Sequence, residues 1–251
     1  MNDIIIRSPD TDVFVLVLHF AQNIEQRVLF DTGVGNRRRL IDIHLVIDET
    51  GMDLCSALPA LHAFSGSDST SSFVRKGKKT VLKTIKQHPE YIKAFLSLGR
   101  SINIDEHTWQ QLEELCCLLY GWSVPFDINV LRHEKFIQRF SPKPGTLLST
   151  YSGVDMSLLP PCKDAMEMHL RRATYQALVW YNANKANPDI PSPCGQRWEM
   201  DDGHLSIKWT ESDLLPQELV NVLTENPGTF DQIDGETPQL DSLDDIVFSE
   251  S

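Results

Sequence analysis

Two kinds of apolar spacing run along this chain, and the switches between them mark out its elements. Asn2-Asp3-Ile4-Ile5-Ile6-Arg7 has a continuous apolar centre, the pattern of a short strand covered on both faces. From Thr11 to Gln22 the period lengthens, and Val13, Leu16, Val17 and Phe20 recur on one face of a helix. Arg27 to Phe30 and Arg39 to Ile43 read as two strands, joined through the turn formers of Gly33 to Asn36. Helical spacing returns over about 43 to 50 and 52 to 63, the second carrying Leu54, Ala57, Leu58 and Leu61. The loop Gly66 to Ser72 is too polar and too rich in turn formers for regular structure.

Beyond that loop the pattern is mostly helical. Lys78 to Gln87 and Pro89 to Leu98 read as helices, the latter with Pro in its first turn. Asp105 to Tyr120 has the clearest stripe, through Leu112, Leu115, Leu118 and Leu119, and Asn129 to Phe140 follows. Pro142, Pro144 and Gly145 mark a break before a helix from about Lys163 to Asn184. Asp201-Asp202-Gly203 predicts a hairpin between Arg197 to Met200 and Leu205 to Trp209.

Composition narrows the picture. The chain has 251 residues, 41% of them hydrophobic, enough for one large core or two small ones. No apolar run reaches transmembrane length, and Asp3 and Arg7 interrupt the first one, so neither a membrane span nor a signal peptide is expected. Cys55, Cys116, Cys117, Cys162 and Cys194 lack metal-ligand spacing, which predicts reduced, mostly buried thiols in an intracellular protein.

Net charge is −12, but it is unevenly spread. Asp231, Asp234, Glu236, Asp241, Asp244, Asp245 and Glu250 stand in a stretch without Lys or Arg, which reads as an acidic, disordered tail from about 211 suited to a basic protein partner. Between Ser69 and Pro89 the reverse holds: Arg75, Lys76, Lys78, Lys79, Lys83 and Lys86 occur with no acid. A cation cluster this local suits phosphates, and it equally suits an ordinary solvated helix face.

Candidate chemistry begins at Ser8-Pro9-Asp10-Thr11-Asp12. Carboxylates at the C-terminal end of a strand point into the crevice where α/β sheets bind ligands. Asp10 and Asp12 lie two residues apart and repel unless a proton or a hard cation such as Mg²⁺ intervenes. The same residues also suit a helix N-cap, and both readings stay open here. Asp68 in its Ser-rich loop suits a turn. The histidines His19, His44, His62 and His107 show no paired spacing, Cys116-Cys117 reads as core volume, and Tyr175, Trp180 and Tyr181 read as packing residues. Arg171 and Arg172 could reach a phosphate, with solvation as the default reading.

The order of these features resembles the flap-endonuclease-like branch of PIN-like nucleases, over about residues 3 to 90. The matching stretches are Ile5 to Leu16 (IIRSPDTDVFVL) and Leu58 to Ile85 (LPALHAFSGSDSTSSFVRKGKKTVLKTI). A second resemblance is to a group of animal proteins, read here as of mobile-element origin, through Leu29 to Ile41 and Leu159 to Trp180. The resemblance implies an α/β fold with an incomplete PIN-like parallel sheet and flanking helices over 1–100. A mostly helical region with a terminal hairpin would occupy 101–210. It implies Asp10, Asp12 and Asp68 as ligands of Mg²⁺ or Mn²⁺, weakly held, with two-metal phosphodiester hydrolysis as the family's chemistry. Ser67, Ser69 and Thr70 would orient the loop. The turn from Arg75 through Lys76, Lys78 and Lys79, followed by Lys83 and Lys86, would grip DNA, or alternatively RNA, through a helix N-terminus.

The family also carries acids on elements before its Asp-x-Asp strand, and only nine residues precede Asp10 here. The resemblance therefore implies either a fragment of a nuclease or a degenerate copy kept for binding or scaffolding. Whether this chain is an enzyme stays open at this stage, and a DNA-facing role implies a nuclear rather than cytoplasmic place.

Overall fold

Alternation of strand and helix at the start of the chain builds a small mixed sheet, and helices build the rest. The structure is a computed structural model that describes residues 3–124, 126–140 and 155–208. A first compact unit spans Met1–Glu211. The acidic tail, like Trp209 at the expected end of the hairpin, lies outside the described residues.

Strand β1 (Ile4–Arg7) leads through Ser8 and Pro9 into α1 (Thr11–Phe20). Then come β2 (Val28–Thr32), β3 (Arg39–Asp42), α2 (Ile43–Thr50) and α3 (Met52–Ser65). The sheet order is β1-β2-β3, with β1 parallel to β2 and β3 antiparallel to it. Register puts Ile6, Phe30 and Ile41 side by side on the face that packs against α1, α2 and Cys55 of α3. The alternate residues point the other way, and there Ile5 is 60% and Leu40 57% exposed.

This corrects the reading of β1 as a strand covered on both faces. It is an edge strand with one face in the core, because its run of three isoleucines includes one that alternation turns outward.

The second half is helical as expected: α4 (Lys78–Gln87), α5 (Ile92–Ser97), α6 (Glu106–Leu119), α7 (Ile128–Phe140) and α8 (Lys163–Tyr181). A two-stranded hairpin, β4 (Trp198–Asp201) and β5 (His204–Ile207), closes the described chain. The two regions expected on either side of residue 100 share one core. Leu54, Ala60 and Phe64 of α3 pack in the same cluster as Val81 and Ile85, Leu112 and Leu115, and Leu170 and Ala177.

Helix α3 is apolar nearly all round and is buried accordingly, sandwiched between this cluster and the sheet-side one. Pro59 inside it cannot donate to its preceding turn, and the Tyr181 hydroxyl donates to the neighbouring Ser56 carbonyl at 3.1 Å. All five cysteines are free thiols, three of them buried. Among the described residues no helix is long and apolar enough to cross a membrane.

Candidate nucleic-acid interface

At the C-terminal end of β1 the chain turns on its own polar groups. The Ser8 hydroxyl accepts the Asp10 N–H at 3.1 Å, and the Asp10 carboxylate accepts the Asp12 N–H at 2.8 Å. Asp10 is thus the N-cap of α1, with extended backbone and a side-chain oxygen on an N–H that the helix itself leaves unpaired. Asp12, two residues on in the first turn of α1, meets His62 of α3 at 2.5 Å.

His62 is only 4% exposed and its ring lies 5.4 Å from that of Trp180. Burial pushes its pKa down, against the opposing pull of the Asp12 hydrogen bond, while the Lys78 charge lowers it further. The ring is therefore neutral at pH 7, and its Nε2–H donates to the Asp12 carboxylate. Spacing alone hid this residue. The available signal was that a helix buried all round cannot leave an imidazole without a partner.

A second carboxylate at this end of the sheet also escaped the sequence reading. Asp31 on β2 is 4% exposed and accepts two bonds from the Arg38 guanidinium, at 2.8 and 2.7 Å, with Arg7 3.8 Å away. The Arg38 hydrogen bond holds its carboxyl below the usual carboxylate range. The bidentate pairing spans the β2–β3 hairpin, where Asp31 stands opposite Leu40, so no local spacing announces it.

The loop after α3 is stapled to the helix ends it crosses. The Thr70 hydroxyl donates to the Ala63 carbonyl at 2.7 Å, and His169 Nε2 reaches the Phe64 carbonyl at 2.8 Å. These carbonyls stand in the last turn of α3, where the i+4 donors run out, and that of Ala63 also takes the capping Gly66 N–H at 3.3 Å. Gly66 has φ of +108°, and a Cβ there would lie 2.6 Å from the Ser72 Cβ, so both conformation and space demand glycine. Asp68 sits exposed at the tip of the turn bridged by Ser67 and Thr70. Ser69 donates to Gln176 of α8 at 2.5 Å, so Ser67, Ser69 and Thr70 all hold the loop as expected.

The six cations of the basic segment divide into two kinds. Lys76 lies over the Tyr120 ring, 5.3 Å from its centroid, and Lys78 donates to the Gly66 carbonyl. Both anchor the turn. Lys79, Lys83 and Lys86 recur at helical spacing on the exposed face of α4, opposite the buried Val81 and Ile85. Among the described residues none of these three forms an ion pair, nor does Arg75.

Arg75 has φ of +60° in a turn closed by the Lys76 N–H on the Phe73 carbonyl at 2.9 Å. That is the position where glycine is ordinarily preferred. The α4 N-terminus carries no side-chain cap. Its first residues, with Gly66, Asp68 and Ser72, line an open cleft of about 560 Å³. Unpaired N–H groups and flanking ammonium groups make such a helix end attractive to phosphate.

The three expected metal ligands fare differently from the cations. Asp10 caps a helix, Asp12 is engaged by His62, and Asp68 belongs to the cleft beside α4. Among the described residues no group of three or more His, Cys, Asp or Glu side chains converges on a common point. With Asp10 committed to a helix N–H and Asp12 to an imidazole, these carboxylates as arranged form no shared cradle for a hard divalent ion among the described residues. Compared with family models, curated proteins and solved structures, the chain matches none of them.

Proposed function

We propose that this protein binds the sugar–phosphate backbone of DNA through the exposed face of α4 and the turn before it, as a binding remnant of a PIN-like nuclease. One observation carries the reading. Lys79, Lys83 and Lys86 stand in one exposed row without ion pairs among the described residues, and the exposed Arg75 precedes it at a strained turn. A merely solubilising helix face would gain nothing from an arginine held where glycine is cheaper.

The nuclease ancestry is supported by order rather than by a metal centre. A strand runs into Asp10 and Asp12, a buried helix into the Gly66-Ser67-Asp68 loop, and that loop into the basic helix. In this geometry Asp12 works with His62 to join α1 to α3, and no hydrolytic step is assigned. A nuclear location is the corollary of a DNA-facing role.

The test is an equilibrium titration of labelled duplex and flap DNA with the full chain, in parallel with incubation in Mg²⁺ or Mn²⁺. Binding lost on replacing Lys79, Lys83 and Lys86 by Gln, with the DNA left intact, is the expected result. Cleavage abolished by Asp10→Ala or Asp68→Ala would overturn the remnant reading in favour of a working nuclease. Retained binding in the triple variant would overturn the interface.

A further inference from the structure

Sharing Ser72 with the α4 cleft is a second pocket of about 290 Å³, bounded by Ser71 to Val74, α7, α8 and the segment around Leu159. Its walls combine two guanidiniums, Arg132 and Arg172, with the hydroxyls of Ser71 and Ser157 and the aromatic groups of Phe73 and Tyr120. No carboxylate lines it among the described residues. Arg172 was expected in solvent, yet it is 2% exposed. The correction has a plain cause. Arg172 lies on a face of α8 whose neighbours His169 and Ala173 are also buried, so its guanidinium is carried into the pocket wall.

Holding a guanidinium there costs desolvation, which lowers its pKa; one of its N–H groups donates to the Lys208 carbonyl at 3.3 Å, and the residue also lines the cavity. Arg132 is fixed in place by the Pro160 carbonyl, which takes one of its five N–H donors. The imidazole beside them adds no charge. His169 Nε2 faces the Phe64 carbonyl, which can only accept, so the proton is on Nε2 and Nδ1 accepts from the Ser71 hydroxyl at 2.9 Å. A cavity lined by cationic and hydroxyl groups together with aromatic and apolar ones fits an anion with a flat apolar body.

Two observations narrow the class. The volume lies at the small end of ligand pockets, which suits a single nucleotide-sized molecule. The pocket also adjoins the proposed backbone contact: Ser72 lines both cavities, and Lys76 of the basic turn sits over the Tyr120 ring at the pocket's edge. We infer that this pocket binds a nucleoside monophosphate unit, with its phosphate on Arg132 and Arg172 and its base against Phe73 and Tyr120. The choice of a nucleotide over other aryl phosphates rests on the reading of α4 as a nucleic-acid contact.

The test is calorimetric titration of the full chain with thymidine 5′-monophosphate, adenosine 5′-monophosphate and inorganic phosphate. Arg132→Gln is the informative variant because Arg132 is only half-buried, and Lys93→Gln removes an exposed charge elsewhere as a control. Saturable nucleotide binding is expected, weakened roughly tenfold or more by Arg132→Gln and unchanged by Lys93→Gln. Tyr120→Leu should erase the preference for nucleotide over inorganic phosphate. Absence of saturable binding, equal affinity in Arg132→Gln, or phosphate binding as tightly as nucleotide would each overturn the inference.

Displacement of the nucleotide by an oligonucleotide assigns the unit to a strand, and lack of displacement assigns it to a free nucleotide; the pocket stands in both cases. Nucleotide binding in a chain that fails to bind oligonucleotide overturns the α4 reading alone. The reverse pattern overturns the pocket alone.

Discussion

Lowering the pH should unfold this protein through His169 before its paired carboxylates are touched. The side chain is buried, with Nε2 on the Phe64 carbonyl at 2.8 Å, Nδ1 on the Ser71 hydroxyl at 2.9 Å, and its ring 4.9 Å from that of Phe73. Burial brings its pKa down from 6.5 to about 4. An unfolded chain binds this proton near pH 6.5, whereas the folded one resists until about pH 4. Stability from His169 is therefore complete above pH 6.5 and is lost as pH falls toward 4.

At about 1.4 kcal/mol per unit, the loss comes to about 3 kcal/mol across that window. Neutral His62 and His19 add loss of the same sign, because burial lowers both. The carboxyls of Asp31, Asp42 and Asp105 titrate below their ordinary 3.8, so they act below the window. The assay is denaturant unfolding of the wild type and His169→Gln at half-unit steps from pH 7.5 to 4.5. Gln can still bond the Phe64 carbonyl and Ser71 but does not titrate. The variant should start less stable at pH 7.5 and lose less than the wild type on acidification, the two curves converging by about 3 kcal/mol. Parallel curves would refute the burial argument.

Other consequences are simpler to read. Phe30→Ala should cost about 3–5 kcal/mol in chemical denaturation, whereas Ile5→Ser, on the exposed face of the edge strand, should stay within about 0.5 kcal/mol. Arg75→Gly should raise stability by up to about 1 kcal/mol by relieving the positive φ, while weakening DNA binding; destabilisation would remove the argument from strain. Asp105 caps α6 through the Thr108 N–H at 2.9 Å and its hydroxyl at 2.7 Å, so Asp105→Ala should lower stability by about 1 kcal/mol in the same measurement.

Much of the fold was legible because helix period and turn chemistry are local. The stripes of α1 and α6, the helical spans of α4 and α8 and the Asp202-Gly203 hairpin needed no tertiary knowledge to place within a few residues. The status of β1 was not local. Three isoleucines in a row give no alternation to read, and whether a strand sits at an edge depends on where its neighbours fall. The basic segment was legible as charge, yet a count of lysines could not separate those that anchor the turn, Lys76 and Lys78, from the row that faces outward. The partners of His62, Asp31 and Arg172 were not legible for a shared reason. Each residue gains its meaning from a partner or a cavity that only folding brings near.

The measurement that bears most directly on the α4 interface is the salt dependence of DNA binding. Each phosphate neutralised contributes a slope of about −0.9 to log affinity against log salt for duplex DNA. Replacing Lys79, Lys83 and Lys86 by Gln should flatten that slope by close to 3 (about 0.9 for each cation removed), with weaker binding to every sequence tested. An unchanged slope in the triple variant would contradict the assignment of α4 as the nucleic-acid contact.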